Sequence, residues 1–187
     1  MYAKGKGIVL NEPSVIALNS RTTEVLGELA EELWAAADAL PSFGRVLFAA
    51  HRQMPRPDDP VVSAWLAVNC VREWRGDTHF AVLVAEDVDA TTAGVLDDAR
   101  RNYGGWIPRS RGADDAAIAR SMARLEGRGV GGVGAVNAAG LAYRDEIEAR
   151  TDRLSARPWS VLGAEATEAF VTLVEPVGDR LVARIDE

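Results

Sequence analysis

Arg72, Glu73, Trp74, Arg75, Asp77 and His79 fall within eight positions of the stretch VREWRGDTHFAVLVAEDVD, residues 71–89, the densest group of chemically competent side chains in the chain. Two arginines beside a histidine can grip a carboxylate or phosphate, because each guanidinium offers paired donors. Gly76-Asp77 is expected to interrupt the helix, with Asp77 capping a new one. His79 then sits at the second position after the cap, where the helix N-terminus disfavours imidazolium and leaves a neutral imidazole as acceptor or base. Trp65 and Trp74, on the preceding helix, are placed to wall an apolar or aromatic ligand. An architectural role accounts for the same residues: Asp77 as cap, Gly76 as turn, Arg72 and Arg75 paired with Glu73, Asp77 or distant carboxylates, and Trp74 as core.

The second charged feature is the run 100–128, where seven arginines (100, 101, 109, 111, 120, 124, 128) face Asp114, Asp115 and Glu126. Arg120, Arg124 and Arg128 recur at four-residue spacing and can track phosphates along one helix face. Against DNA stand Asp114 and Asp115, which open that helix where bases are normally read and which repel a phosphate backbone. Literal G-x-G-x-x-G matches occur at Gly127, Gly129, Gly132 and at Gly129, Gly131, Gly134. The dinucleotide fingerprint needs a strand before the glycines and a helix after them. Here a charged helix precedes and a hairpin-like stretch follows, so no nucleotide cofactor is expected. Two histidines and one cysteine, without ligand spacing, imply no metal. No nucleophilic triad is evident, since no serine has a spacing to His79 that would suggest one.

These side chains must be carried by helices. Leu26, Leu29, Leu33, Ala37 and Leu40 recur at three- and four-residue steps, predicting a helix from Ser20 to Leu40, with Ser20, Thr22 and Thr23 as caps and Pro41 as its stop. Residues 1–19 read as an arm or short strand, 43–52 as a short helix, and 53–60 as an extended connection. Asp59-Pro60 starts a helix to about Trp74, with Val62, Trp65, Leu66, Cys70 and Trp74 inward. Further helices are expected over 77–84, over 90–102, and over 114–128 with Ile118, Met122 and Leu125 inward. Residues 105–112 should be a turn region. The stretch 127–137 suits a small β-hairpin. Asn137 caps a long helix to about Ala156, buried along Tyr143, Ile147 and Leu154 and ended by Pro158-Trp159. Residues 164–175 are helical, and 176–187 can be helix or strand.

The order over 90–156 is that of a winged helix, with 114–128 as recognition helix and 129–137 as wing. The expected fold is therefore mostly α: a helical region 1–89 packed on a winged-helix-like region 90–187, together one compact unit. The 187 residues can bury a substantial core. A net charge of −7 argues against a general polyanion binder. The absence of a secretory pattern and a single cysteine, Cys70, point to a reducing cytoplasm, and no apolar run is long enough for a membrane.

The stretches PRPDDPVVSAWLAVNCVREWRGDTHFAVLVAEDVD and MARLEGRGV…NAAGLAYRDEIEARTDRLSARPWSVLG resemble the SalK-like helix-turn-helix family of actinobacteria, most specifically in Arg72, Glu73, Arg75, Gly76, Asp77 and His79 and in Glu148, Thr151 and Asp152. Residues 112–157 are also similar to the winged helix of MarR-type regulators. The resemblance implies an α-rich winged-helix protein associated with specialised metabolism. It also implies an extra N-terminal helical region that this chain lacks, so that a homodimer or a partner subunit supplies the missing surface. The family pattern has His where this chain has Trp74.

Together these features favour a small-molecule-binding, MarR-like regulator, or a descendant that lost DNA binding. Arg72, Arg75, Asp77, His79, Trp65 and Trp74 would hold an anionic or aromatic organic ligand, with Thr151 and Asp152 reaching the same pocket. DNA, through Arg120, Arg124 and Arg128, ranks below that ligand as a partner. Two alternatives stay open: an enzyme or accessory protein of specialised metabolism using His79 as general base with Asp77 orienting it, and an assembly module without a site.

Overall fold

The computed structural model describes residues 2–3, 7–8 and 26–183. Tyr2–Ala3 (β1) pairs antiparallel with Gly7–Ile8 (β2). The helices are α1 (Ala30–Asp38), α2 (Val46–Arg52), α3 (Pro60–Ala85), α4 (Ala90–Arg101), α5 (Trp106–Ser110) and α6 (Asp115–Gly127). A hairpin of β3 (Gly131–Gly132) and β4 (Ala135–Val136) follows, then α7 (Ala138–Ser155), α8 (Arg157–Leu162) and α9 (Ala164–Ala183). The class is mostly helical with one small hairpin wing, as expected. The candidate caps Ser20, Thr22 and Thr23 lie outside the described residues.

The helix starts follow local rules. Asp59 accepts from the N–H groups of Val61 and Val62, with Pro60 in the first turn. Asp89, Asp114 and Asn137 cap α4, α6 and α7 through Thr92, Ala117 and Gly140. The expected break at Gly76-Asp77 is absent, because α3 runs through it for 26 residues. Asp77 does not cap its own helix. Its carboxylate accepts the backbone N–H of Phe48 at 2.9 Å, an early donor of α2, whose own N-cap residue Arg45 contributes no capping side chain. Asp77 thus satisfies an orphan donor of a neighbouring helix, and that long-range bond outweighs the mild helix-breaking tendency of Gly-Asp.

The helix α3 serves two cores. Its first half places Ala64, Ala67, Cys70 and Trp74 against Leu26, Leu33, Trp34, Phe48 and Phe170. Its last turns place Val82 and Leu83 against Val88 and Ile147 of α7. A third core joins Val95 and Leu96 of α4 to Leu125 of α6, flanked by Ile118, Met122, Val130 and Val136. Three expected core residues are exposed instead: Val62, Trp65 and Leu154. Trp65 and Trp74 are nine residues apart, about half a turn around a helix at about 100° per residue, so they cannot wall one pocket.

The winged unit comprises α4, α5, α6, the hairpin and α7. The expected turn at 105–112 contains the five-residue α5, because the buried carboxylate of Asp98 accepts from Gly105 N–H at 2.6 Å and from Ile107 N–H at 2.8 Å. In the hairpin Gly131 lies opposite Val136, and Gly134 adopts φ 71°, a left-handed conformation that suits glycine. Gly140 lets it lie on the first turn of α7: a methyl there would overlap the Val130 carbonyl and the Val136 side chain. The long α7 ends at Ser155, just before Pro158 as expected, and Pro158 itself sits in the first turn of the separate short helix α8. Past it, α9 carries Pro176 in its interior, so residues 176–183 are helix, and 184–187 lie outside the described residues.

Candidate functional site

The two sequence motifs that looked most specific meet where α3 crosses α7. Arg75 reaches across to Glu148 at 2.7 Å and to Asp152 at 2.8 Å. His79 Nδ1 lies 3.0 Å from Thr151 Oγ1 and 3.8 Å from Glu148. The Thr151 hydroxyl donates to the Ile147 carbonyl at 2.9 Å, so its oxygen accepts from the histidine. With the hydroxyl donated to Ile147, the neutral imidazole carries its proton on Nδ1 and its lone pair on Nε2. Burial lowers the imidazole below its ordinary value of 6.5; Glu148 opposes that shift, and Arg75 and Arg144 reinforce it. Arg144 belongs to the same network, 2.7 Å from Asp97 of α4 and 3.6 Å from Glu148.

The expected arrangement of this cluster is revised in three ways. Asp77 lies two positions from His79, about 200° around the helix, and faces α2, so Thr151 rather than Asp77 orients the imidazole. The premise that His79 opens a helix fails with the break, since it stands inside α3. Trp74 is buried, edge-on to Phe48 at 5.3 Å, and the cation on its ring is Arg45, 3.6 Å from the ring centre, not Arg72 or Arg75. Arg72 is exposed and pairs with its neighbour Glu73. The buried Cys70 thiol is pushed up to about 11 by burial, which keeps it protonated and unreactive. Among the described residues no cluster of His, Cys, Asp and Glu is arranged to hold a metal, and no helix is long and apolar enough to cross a membrane.

The face of α6 turned away from the core exposes Ala116, Ala119, Arg120 and Ala123. The opposite face buries Ser121 and Leu125. The two acids that open the helix are both committed. Asp114 caps Ala117 at 2.7 Å, and Asp115 pairs with Arg109 at 2.8 Å. Two of the three arginines expected to track phosphates are committed as well. Arg124 binds Asp89 at 2.7 Å. Arg128 closes the C-terminal end of α3, donating to the Glu86 and Asp87 carbonyls and to the Asp87 carboxylate. Arg120 alone of the three has no ion-pair partner among the described residues.

Sequence reasoning missed Arg45, whose partners lie 29 and 33 residues away in Trp74 and Thr78. It also missed Arg144, although its position four residues before Glu148 on one helix was a usable signal. The family model that matches the chain is described as a helix-turn-helix family and covers residues 14–186. No curated protein and no solved structure matches.

Proposed function

Because the chain belongs to this helix-turn-helix family, we propose that it is a DNA-binding winged-helix regulator that lays α6 in the major groove with the β3–β4 hairpin alongside. The observation that carries this is the open outer face of α6. Alanines at 116, 119 and 123 let the helix backbone come close to base edges, and Arg120 stands free among them. The acids that argued against DNA from sequence stay exposed, but Asp114 is engaged as a helix cap and Asp115 is paired with Arg109. The succession of wing and long α7 supports a MarR-type arrangement. The meeting of Arg75, His79, Thr151 and Asp152 supports the SalK-like relationship, and action as a cytoplasmic homodimer follows the habit of such regulators.

The test is fluorescence anisotropy of a labelled, mixed-sequence DNA duplex over a range of salt, with wild type and Ala119→Asp. Salt-sensitive binding by wild type and its loss in the variant are expected. A wild type that never binds, or a variant that binds equally well, rejects the proposal.

One observation favours an added response to a small polar or anionic organic molecule. The His79 side chain, one-quarter exposed, lies at the junction that ties the winged unit to the rest of the chain, with Nδ1 engaged by Thr151. A panel of small carboxylates and phosphorylated compounds should then include one that raises the thermal midpoint of wild type but not of His79→Ala, since binding to the folded state alone stabilises it. Equal shifts in both proteins would reject that role.

A further inference from the structure

The ion pairs of the winged unit leave a specific residue of positive charge. Residues 90–155 hold ten arginines. Eight of them have a carboxylate partner: Arg100 with Asp145, Arg101 and Arg144 with Asp97, Arg109 with Asp115, Arg124 with Asp89, Arg128 with Asp87, Arg150 with Glu86 and Arg153 with Glu146. Arg111 and Arg120 have no such partner among the described residues. These two line one surface groove of about 260 Å³, between the start of α4, the turn after α5 and the first half of α6. The hairpin, residues 129–137, contains no lysine or arginine, and its tip is the exposed Val133.

We infer that this groove is the phosphate clamp of the DNA interface: Arg111 and Arg120 hold backbone phosphates beside the groove entered by α6, and the wing contributes shape without charge. The inference rests on the DNA-binding proposal and adds its electrostatic footprint. A paired arginine brings no net charge to a phosphate, because its carboxylate partner must first be displaced or left unpaired. An unpartnered guanidinium at the surface releases a condensed counterion from DNA at no such cost. Asp114 also lines the groove, but its carboxylate is turned to the Ala117 N–H. Among the described residues of the winged unit the free arginines therefore supply about two phosphate contacts, a small number for a DNA-binding surface.

The measurement is the salt dependence of binding to the same mixed-sequence duplex, with four proteins: wild type, Arg111→Ala, Arg120→Ala and the double variant. Neither arginine is tied to a partner among the described residues, so all four should share one thermal midpoint. Each substitution is expected to lower the slope of log K against log salt by about 0.9 and to weaken binding about eightfold at about 0.1 M salt, and the pair by about sixtyfold. A charge-neutral control, Arg124→Ala with Asp89→Asn, keeps the α4 cap and should leave the slope unchanged.

A wild type that binds DNA with a slope untouched by the double variant, or a control that moves the slope as far, overturns the clamp while leaving the DNA proposal standing. A wild type that binds no duplex overturns both. Titration with inorganic phosphate separates a free-anion site from a DNA contact. If phosphate raises the thermal midpoint saturably, the double variant abolishes that effect and duplex binding is unaffected, the groove is a free-anion site and the inference is wrong.

Discussion

Replacing Gly76 by alanine should stabilise the protein, and the sign of that effect separates a continuous α3 from a broken one. Gly76 lies inside the 26-residue helix, and its φ is not among the positive values in the chain. A β-carbon built there meets only the carboxylate end of Glu73, at 3.5 Å, an ordinary contact with a flexible side chain. The added methyl therefore brings little steric cost. Removing glycine from a helix interior gains about 1 kcal/mol, chiefly by restricting the unfolded chain. For a chain of this length that is a rise of about 2–4 °C in the midpoint, or a shift of about 0.3–1 M in the urea midpoint for ordinary denaturant slopes. Thermal scans and urea titration of the Gly76→Ala variant would read it directly. If Gly76 instead formed a turn before a new helix, alanine would be strained there. A midpoint lowered by a degree or more would refute the continuous helix, and with it the assignment of Asp77 to α2.

Further outcomes follow from the same junctions. Asp77→Ala leaves the buried Phe48 N–H without its acceptor and should cost about 2 kcal/mol, a fall of about 4–8 °C, whereas Asp77→Asn keeps an acceptor oxygen and should cost about half as much. An alanine variant indistinguishable from wild type would show that α2 does not depend on the bond. For His79 the folded chain holds the imidazole below its ordinary 6.5, so between those two values the unfolded chain binds more protons. The stability tied to neutral His79 is then complete above about pH 6.5 and declines as pH falls through the folded value. Protonation would add a positive charge that Arg75 and Arg144 repel and Glu148 and Asp97 attract. Wild type should therefore lose more stability than His79→Gln on acidification through that window, and parallel pH profiles for the two proteins would contradict this.

What the sequence disclosed was what neighbouring residues decide. Asp59-Pro60 and Asn137 cap helices within three residues of themselves, and the glycines at 129–134 announce the hairpin, so all of the winged unit but the short α5 was legible in the sequence. Gly76-Asp77 misled because its local propensity is overridden by a bond to Phe48, 29 residues away, for which no one-dimensional pattern exists. The opposite orientation of Trp65 and Trp74, by contrast, was available from helical spacing alone. The pairing of Arg75 with Glu148 and Asp152 spans 73 and 77 residues. Only the shared distinctiveness of the two motifs hinted that they met. The separation of free from committed arginines could not be read from sequence at all, since Arg120 and Arg124 are equivalent by type and spacing and differ only in that Asp89 reaches one of them.

The length of α3 has a consequence for any attempt to take the molecule apart. At 1.5 Å per residue its 26 residues span about 39 Å, and its last turns complete the wall on which α7 rests. A fragment beginning at Ala90 would contain the whole winged unit yet strip Ile147 and Tyr143 of Val82 and Leu83, leaving an oily flank in water. The smallest fragment that keeps this wall intact therefore begins before Pro60, because α3 is one unbroken helix from Pro60 to Ala85.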